Sequence, residues 1–221
     1  MLKPEKDYRR LRPSNLCTEY KYLLLLLFWP IYGLFFRYVE TSYKVEEYFI
    51  VYTPIDDFIP FFEWFVIPYL FWFAYIILMH FYTVIFDISA FRRMLWFFII
   101  TYSTTIIIYF LFPTAQELRP TEFARDNILV RFMQGFYEFD TNTNVCPSIH
   151  VIGSLAITFT GLHAKGFERW GWKVFYIACG ILISVSTVFL KQHSVVDILA
   201  ALPLCAIAYF VCFRTNWLVK N

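Results

Sequence analysis

Six polar side chains stand out of an otherwise apolar chain: Arg119, Ser148, His150, Lys191, His193 and Asp197. They fall in three islands, Arg119-Pro120, Cys146-Pro147-Ser148-Ile149-His150, and Lys191-Gln192-His193 with Asp197 four residues beyond the histidine. If His193 and Asp197 are both helical they share a face, and the carboxylate can accept from one imidazole nitrogen. The other nitrogen then keeps its lone pair as a nucleophile, the orienting logic of a catalytic triad with histidine as the attacking group. Ser148 and His150 follow Pro147 at the start of an apolar segment. A helix start offers unpaired amides and the positive end of the dipole to an anion, with Ser148 as cap or phosphate donor. His150, as an imidazole, a group whose unperturbed pKa is near neutrality, is a candidate to protonate a leaving oxygen. Arg119 adds a bidentate fork and Lys191 a point charge. Singly, each residue has a plain structural role as pair, cap or interfacial anchor. Together, on one face, they look like a phosphoryl-transfer site.

The elements that must position these residues are membrane spans. The chain of 221 residues is 59% hydrophobic, 23% aromatic and only 16% charged, which excludes an ordinary soluble domain and a nucleic-acid-binding surface. Windows of helical length give six segments, at 22–38, 61–86, 95–112, 148–162, 172–190 and 195–213, joined into one integral membrane domain over 1–221 with all-α architecture. The fourth is short and carries Ser, Thr, Gly and His, so it is expected to face the bundle rather than lipid. Pro30, Pro68 and Pro203 lie inside candidate spans and are expected to kink them.

Charge orients the bundle. With six spans, Lys3, Lys6, Arg9, Arg10, Arg12, Lys21, Arg92, Arg93, Lys165, Arg169, Lys173, Arg214 and Lys220 fall on one side. That is 13 of the 19 basic residues, against 5 of the 17 acidic ones. The positive-inside rule makes this side cytoplasmic, with both termini, and puts all three islands on the extracytoplasmic side. The basic N-terminal stretch lacks small residues where a signal peptide would be cleaved, so the first span is expected to be retained. Five cysteines scattered at 17, 146, 179, 205 and 212 give neither a disulfide framework nor zinc-ligand spacing.

Between the third and fourth segments lies a connection, 113–147, long enough to be functional. Its mixed charges, among them Arg125, Arg131, Glu122 and Asp126, suit a short amphipathic helix at the membrane surface. A second connection, Thr53-Pro54-Ile55-Asp56-Asp57-Phe58-Ile59-Pro60, is read as a helix-entry loop with surface acids, Asp56 and Asp57 being candidates for headgroup contact.

The islands resemble, in order and spacing, the three signatures of the type 2 phosphatidic acid phosphatase superfamily: Lys-x6-Arg-Pro, Pro-Ser-Gly-His and Ser-Arg-x5-His-x3-Asp. In order, spacing and six-helix setting the resemblance covers about the last 130 residues. It implies a six-helix fold and a covalent phosphohistidine on His193 oriented by Asp197. It further implies His150 as general acid and Arg119 and Ser148 on the phosphate, with no cofactor. The chain departs from the signatures at Phe112 for the lysine, Ile149 for the glycine and Thr187 for the arginine. The stretch Ser186 to His193 is similar to the divergent inositol phosphorylceramide synthase branch, and Lys191 is expected to supply part of the missing charge. The leading expectation is thus a metal-independent lipid phosphatase or phosphotransferase whose partners are the bilayer and a lipid phosphate. The alternatives are a phosphoinositol-type headgroup transferase and a lipid-binding or scrambling protein that keeps the fold without catalysis. A transporter would call for broken helices or further charges near midplane, and none is found.

Overall fold

The computed structural model describes residues 2–43 and 45–215; Lys44 and 216–221, with the Lys220 counted above, lie outside the described residues. Among the described residues seven helices longer than two turns organise the fold: α1 (Phe28–Thr41), α2 (Val66–Phe86), α3 (Ile88–Leu111), α4 (Ile128–Phe139), α5 (Ile149–His163), α6 (Trp170–Phe189) and α7 (Val195–Tyr209). A 3-10 stretch, Lys21–Leu27, runs into α1, a 3-10 turn at Glu63–Phe65 leads into α2, and a π turn, Phe210–Arg214, extends α7. Among the described residues five helical runs are long and apolar enough to cross a membrane: Lys21–Thr41, Glu63–Phe86, Ile88–Leu111, Trp170–Phe189 and Val195–Arg214. Their outward faces carry Leu34, Leu78, Phe81, Ile181, Ile207 and Phe210, all largely exposed. Helices apolar on both faces suit a lipid solvent, and the chain is a mostly helical polytopic membrane protein.

The sixth apolar helix, α5, has only 15 residues. At 1.5 Å per residue it falls short of a hydrocarbon core of about 30 Å. It occupies the centre of the bundle, packed against α2, α3, α6 and α7, and ten of its side chains from His150 to Gly161 are buried. Small residues make this possible. A β-carbon on Gly161 would lie 2.4 Å from the Tyr176 ring, and one on Gly180 would lie 2.3 Å from Thr158 Oγ1, so α5 and α6 approach at distances only glycine allows.

Element limits differ from the hydropathy windows where polar groups are satisfied locally. The third span starts at Ile88 rather than 95, because Asp87 caps it by accepting the Ala90 amide at 3.0 Å. Arg93, which hydropathy reads as loop, sits inside the helix and donates to the carbonyls of Cys212 and Phe213 at 3.1 Å each. Pro30 and Pro68 occupy the third positions of α1 and α2, where no intrahelical amide bond is owed; only Pro203 is interior. At the end of the bundle that carries the three islands, a two-stranded parallel sheet joins β1 (Phe49–Ile50) to β2 (Thr114–Ala115). An isolated bridge from Ala115 to Thr143 staples the 113–147 connection to the same edge. That connection contains α4, whose apolar face, Val130 and Met133, turns inward while Met133 packs with Tyr69 and Leu190.

Candidate functional site

The turn between α6 and α7 and the start of α5 meet at one end of the bundle. Ser194 caps α7, its hydroxyl accepting the Val196 amide at 3.2 Å, and this places Asp197 in the first turn. His193 Nδ1 lies 3.0 Å from Asp197 Oδ2, and that same oxygen accepts the Ser194 amide at 3.0 Å. With a carboxylate as acceptor, the assigned tautomer carries its proton on Nδ1 and leaves the Nε2 lone pair free. Both side chains are buried, Asp197 completely. Its other oxygen, Oδ1, has no hydrogen-bond partner. The Cys146 thiol lies against the carboxylate; burial first and then the Asp197 charge push its pKa up to about 12, so the thiol stays protonated.

The start of α5 is pinned by tyrosines of α3. Tyr109 donates to the Pro147 carbonyl at 2.7 Å and Tyr102 to the Ile149 carbonyl at 3.1 Å, while the Ser148 amide donates to the Asp197 carbonyl at 3.2 Å. The two signature segments are therefore tied main chain to main chain. Ser148 is the N-cap of α5, its hydroxyl accepting the Val151 amide at 3.5 Å. His150 lies between aromatic rings, stacked on Tyr69 at 4.6 Å and against Trp72 at 4.5 Å, with the His193 ring edge-on at 5.7 Å. Its Nδ1 is buried without a partner.

The two cations take other places. Arg119 donates to the carbonyls of Tyr137 at 2.9 Å and Thr141 at 2.8 Å and to Gln192 Oε1 at 2.6 Å, and its guanidinium lies over the Tyr137 ring. Burial lowers its pKa, opposed by the Asp140 charge. Gln192 passes the contact on, donating from Nε2 to Asp140 Oδ2 at 3.2 Å. Burial raises the Asp140 pKa, with His193 and Arg119 pulling it back down. Lys191 turns away: its ammonium donates to the Asp56 main-chain carbonyl at 2.7 Å. Burial depresses its pKa against the opposing pull of Asp56 and Asp57.

His150, His193, Glu40, Asp140, Asn144 and Gln192 all line a cavity of about 30 Å³. That is room for a water or two and no more. Of the six residues singled out by sequence, the structure brings His150 and His193 to this cavity. It sets Asp197 and Ser148 immediately behind them, Arg119 one side chain away through Gln192, and Lys191 apart. Glu40, Asp140, Gln192, Tyr69 and Trp72 were not singled out as site residues. A lone glutamate at the end of an apolar span, as Glu40 is, was the available signal; the aromatic pair carried none in a chain this rich in aromatic residues. Asp56, read as a surface acid, is buried at 2% exposure, whereas Asp57 is exposed. Among the described residues no three His, Cys, Asp or Glu side chains are grouped to hold a metal ion.

What the arrangement supplies is a histidine held in one tautomer by a buried carboxylate, with a second imidazole at its edge, lining a small, partly polar pocket at the end of an apolar bundle. No protein-family model, curated protein or solved structure matches the chain.

Proposed function

We propose that this protein is a lipid phosphatase or phosphotransferase of the type 2 phosphatidic acid phosphatase kind, with α5 as the sixth helix of its bundle and the site at the extracytoplasmic face. The observation that carries the reading is the His193–Asp197 pair at 3.0 Å with the His150 ring 5.7 Å away across the cavity. In this reading His193 Nε2 attacks phosphorus and the P–O bond to the lipid breaks. His150 gives a proton to the departing oxygen, and Asp197 stabilises the charge that develops on His193. Arg119 swings from Gln192 to the phosphate, joined by the amides at the start of α5 behind Ser148. Water, or an alcohol in a transferase, then attacks the phosphohistidine, with His150 taking its proton.

Lys191, spent on the Asp56 carbonyl, is given no part in the cradle. The same feature favours a second reading. With Lys191 turned away and Arg119 engaged by carbonyls, no cation lines the cavity, as a lipid-binding protein that has kept the fold without catalysis would allow. One assay separates them. Phosphate release from a panel of lipid phosphates is measured in detergent with EDTA, for wild type and His193→Ala, without and then with inositol and diacylglycerol as acceptors. Release or transfer that disappears in the variant supports catalysis, and no turnover by wild type under either condition leaves the binding reading.

A further inference from the structure

The turn that carries His193 has no regular structure of its own. The helix α6 ends at Phe189 with Leu190 as its cap, Lys191 adopts a left-handed backbone at φ 53°, and α7 begins only at Val195. Such a turn needs outside anchors, because non-glycine residues with positive φ persist only where their surroundings over-determine them. The anchors come from far away in sequence: Gln116 Nε2 donates to the Lys191 carbonyl at 3.0 Å and the Tyr137 hydroxyl to the Leu190 carbonyl at 2.5 Å, and the contacts that flank His193 on both sides come from the loop between β1 and α2. Asp56 sits in the one-turn helix Ile55–Phe58, and its own backbone is fixed by a reciprocal pair with Thr53: the Asp56 amide donates to the Thr53 carbonyl at 2.8 Å and the Thr53 amide to Asp56 Oδ2 at 2.9 Å. From there Asp56 reaches three residues that bracket His193. Its carbonyl accepts the Lys191 ammonium at 2.7 Å, its Oδ2 accepts the Ser194 hydroxyl at 2.6 Å and its Oδ1 accepts the Val195 amide at 2.9 Å. The same loop closes on α6, the Phe62 amide donating to the Phe189 carbonyl at 3.0 Å.

We propose that Asp56 is a positioning residue for His193, a clamp that fixes the α6–α7 turn from both flanks so that the imidazole meets Asp197 in a single orientation. The proposal rests on the reading of His193 as the reacting group, but its geometry does not depend on the substrate. A carboxylate is needed for two reasons. Its two oxygens accept three donors at once, and an asparagine offers only one acceptor oxygen and brings an N–H toward the Thr53 amide or the Val195 amide, donor against donor. Its negative charge also sits at the N-terminus of α7, where the helix dipole favours it. Ser194 is the joint: donating its hydroxyl proton to Asp56 leaves its oxygen lone pairs for the Val196 amide, so cap and clamp share one side chain. Asp57, adjacent but exposed, is the internal comparison.

The test is nitrogen-15 and carbon-13 spectroscopy of the full chain in lipid nanodiscs with only histidine labelled. The chain has 4 histidines, and His193 is assigned by the signal lost in His193→Asn. Wild type and Asp57→Asn are expected to show one neutral tautomer, protonated on Nδ1. Asp56→Asn and Ser194→Ala are each expected to show both neutral tautomers or a broadened ring. The double variant should be no worse than the more affected single one, because both act through the same contact. A His193 signal unchanged from wild type in folded Asp56→Asn overturns the proposal. Should that variant not fold, an unchanged signal in Ser194→Ala does so. Where turnover is measurable, kcat should fall about 10- to 100-fold in Asp56→Asn with KM little changed. Failure of the phosphatase reading would appear as inactive wild type and leaves the ring measurement intact.

Discussion

Asp197 and Asp140 are both acids near His193, and their surroundings set them opposite tasks. Asp197 accepts from His193 and from the Ser194 amide, so it acts as an acceptor alone. Asp197→Asn preserves shape but presents an N–H to one of those donors. The expected result is the opposite imidazole tautomer and a loss of turnover of roughly a thousandfold, read from kcat on the best lipid phosphate. Asp140 is held in a pocket where burial raises its pKa. A carboxyl whose folded pKa lies above its unfolded value binds its proton more tightly when folded, so the stability it brings is present below the ordinary aspartate range of about 3.9 and is lost as pH rises through the elevated value. Asp140→Asn should therefore melt at nearly the wild-type temperature in acid, gain on wild type as pH rises from about 3.9 through the elevated value, and keep a constant advantage above it. Melting of both proteins across pH 4 to 8, on the order of one midpoint per unit, checks the sign.

At this scale the sequence was legible where spacing encodes geometry. The i, i+4 relation of His193 and Asp197 needed only that α7 start in time, and Ser194 as cap ensures that it does. Lys191 was not legible. Its neighbours in sequence point it at the site, whereas its ammonium follows a carbonyl contributed from Asp56, 135 residues away. No local pattern carries a contact of that range.

Among the elements, α5 shows why short and polar-looking apolar segments resist hydropathy. Its Ser, Thr and Gly content lowers its apparent hydrophobicity, and those same residues permit the central position, since Ser154 and Thr158 return their hydroxyls to the carbonyls of His150 and Ser154. Gly161 is the tighter of the two glycines within α5, and Gly161→Ala is expected to cost about 1–3 kcal/mol through overpacking on Tyr176, seen as a lower melting midpoint. At the start of the same helix, Ser148→Ala removes a cap whose bond to Val151 is already long at 3.5 Å. Its cost should lie near the lower end of the capping range, about 0.5 kcal/mol, smaller than that of Gly161→Ala in the same melting experiment. The start of α3 escaped the hydropathy window for a similar reason: Arg93 counts as a charge in any window, yet in the fold it serves as a cap for the end of α7.

On the scale of the whole molecule, α2 runs from the end carrying the site to the end where Asp87 accepts the Lys165 amide and Glu5 meets Lys165. Cysteines introduced at Asp57 and at Glu168 in a chain freed of its own reactive thiols should therefore label with an impermeant maleimide from opposite faces of sealed vesicles. Labelling of both from one face would contradict the bundle as a membrane-spanning body. The side facing the cytoplasm should be that of Glu168, as the basic surplus around Arg92, Lys165, Arg169 and Lys173 requires.

The cavity of about 30 Å³ has a consequence for how this protein will respond to ligand concentration. On the proposed function, a pocket this small must widen to admit a phosphate group, and every measured dissociation constant is then the intrinsic one divided by the fraction of molecules that are widened. The bar across this door is Gln192, held between Arg119 and Asp140. Shortening it in Gln192→Ala should tighten the apparent affinity for orthovanadate chiefly by speeding association, with the dissociation rate of the bound anion little changed. On the proposed function, then, the grip on a phosphate-like ligand and the frequency of its admission belong to different side chains and can be altered separately.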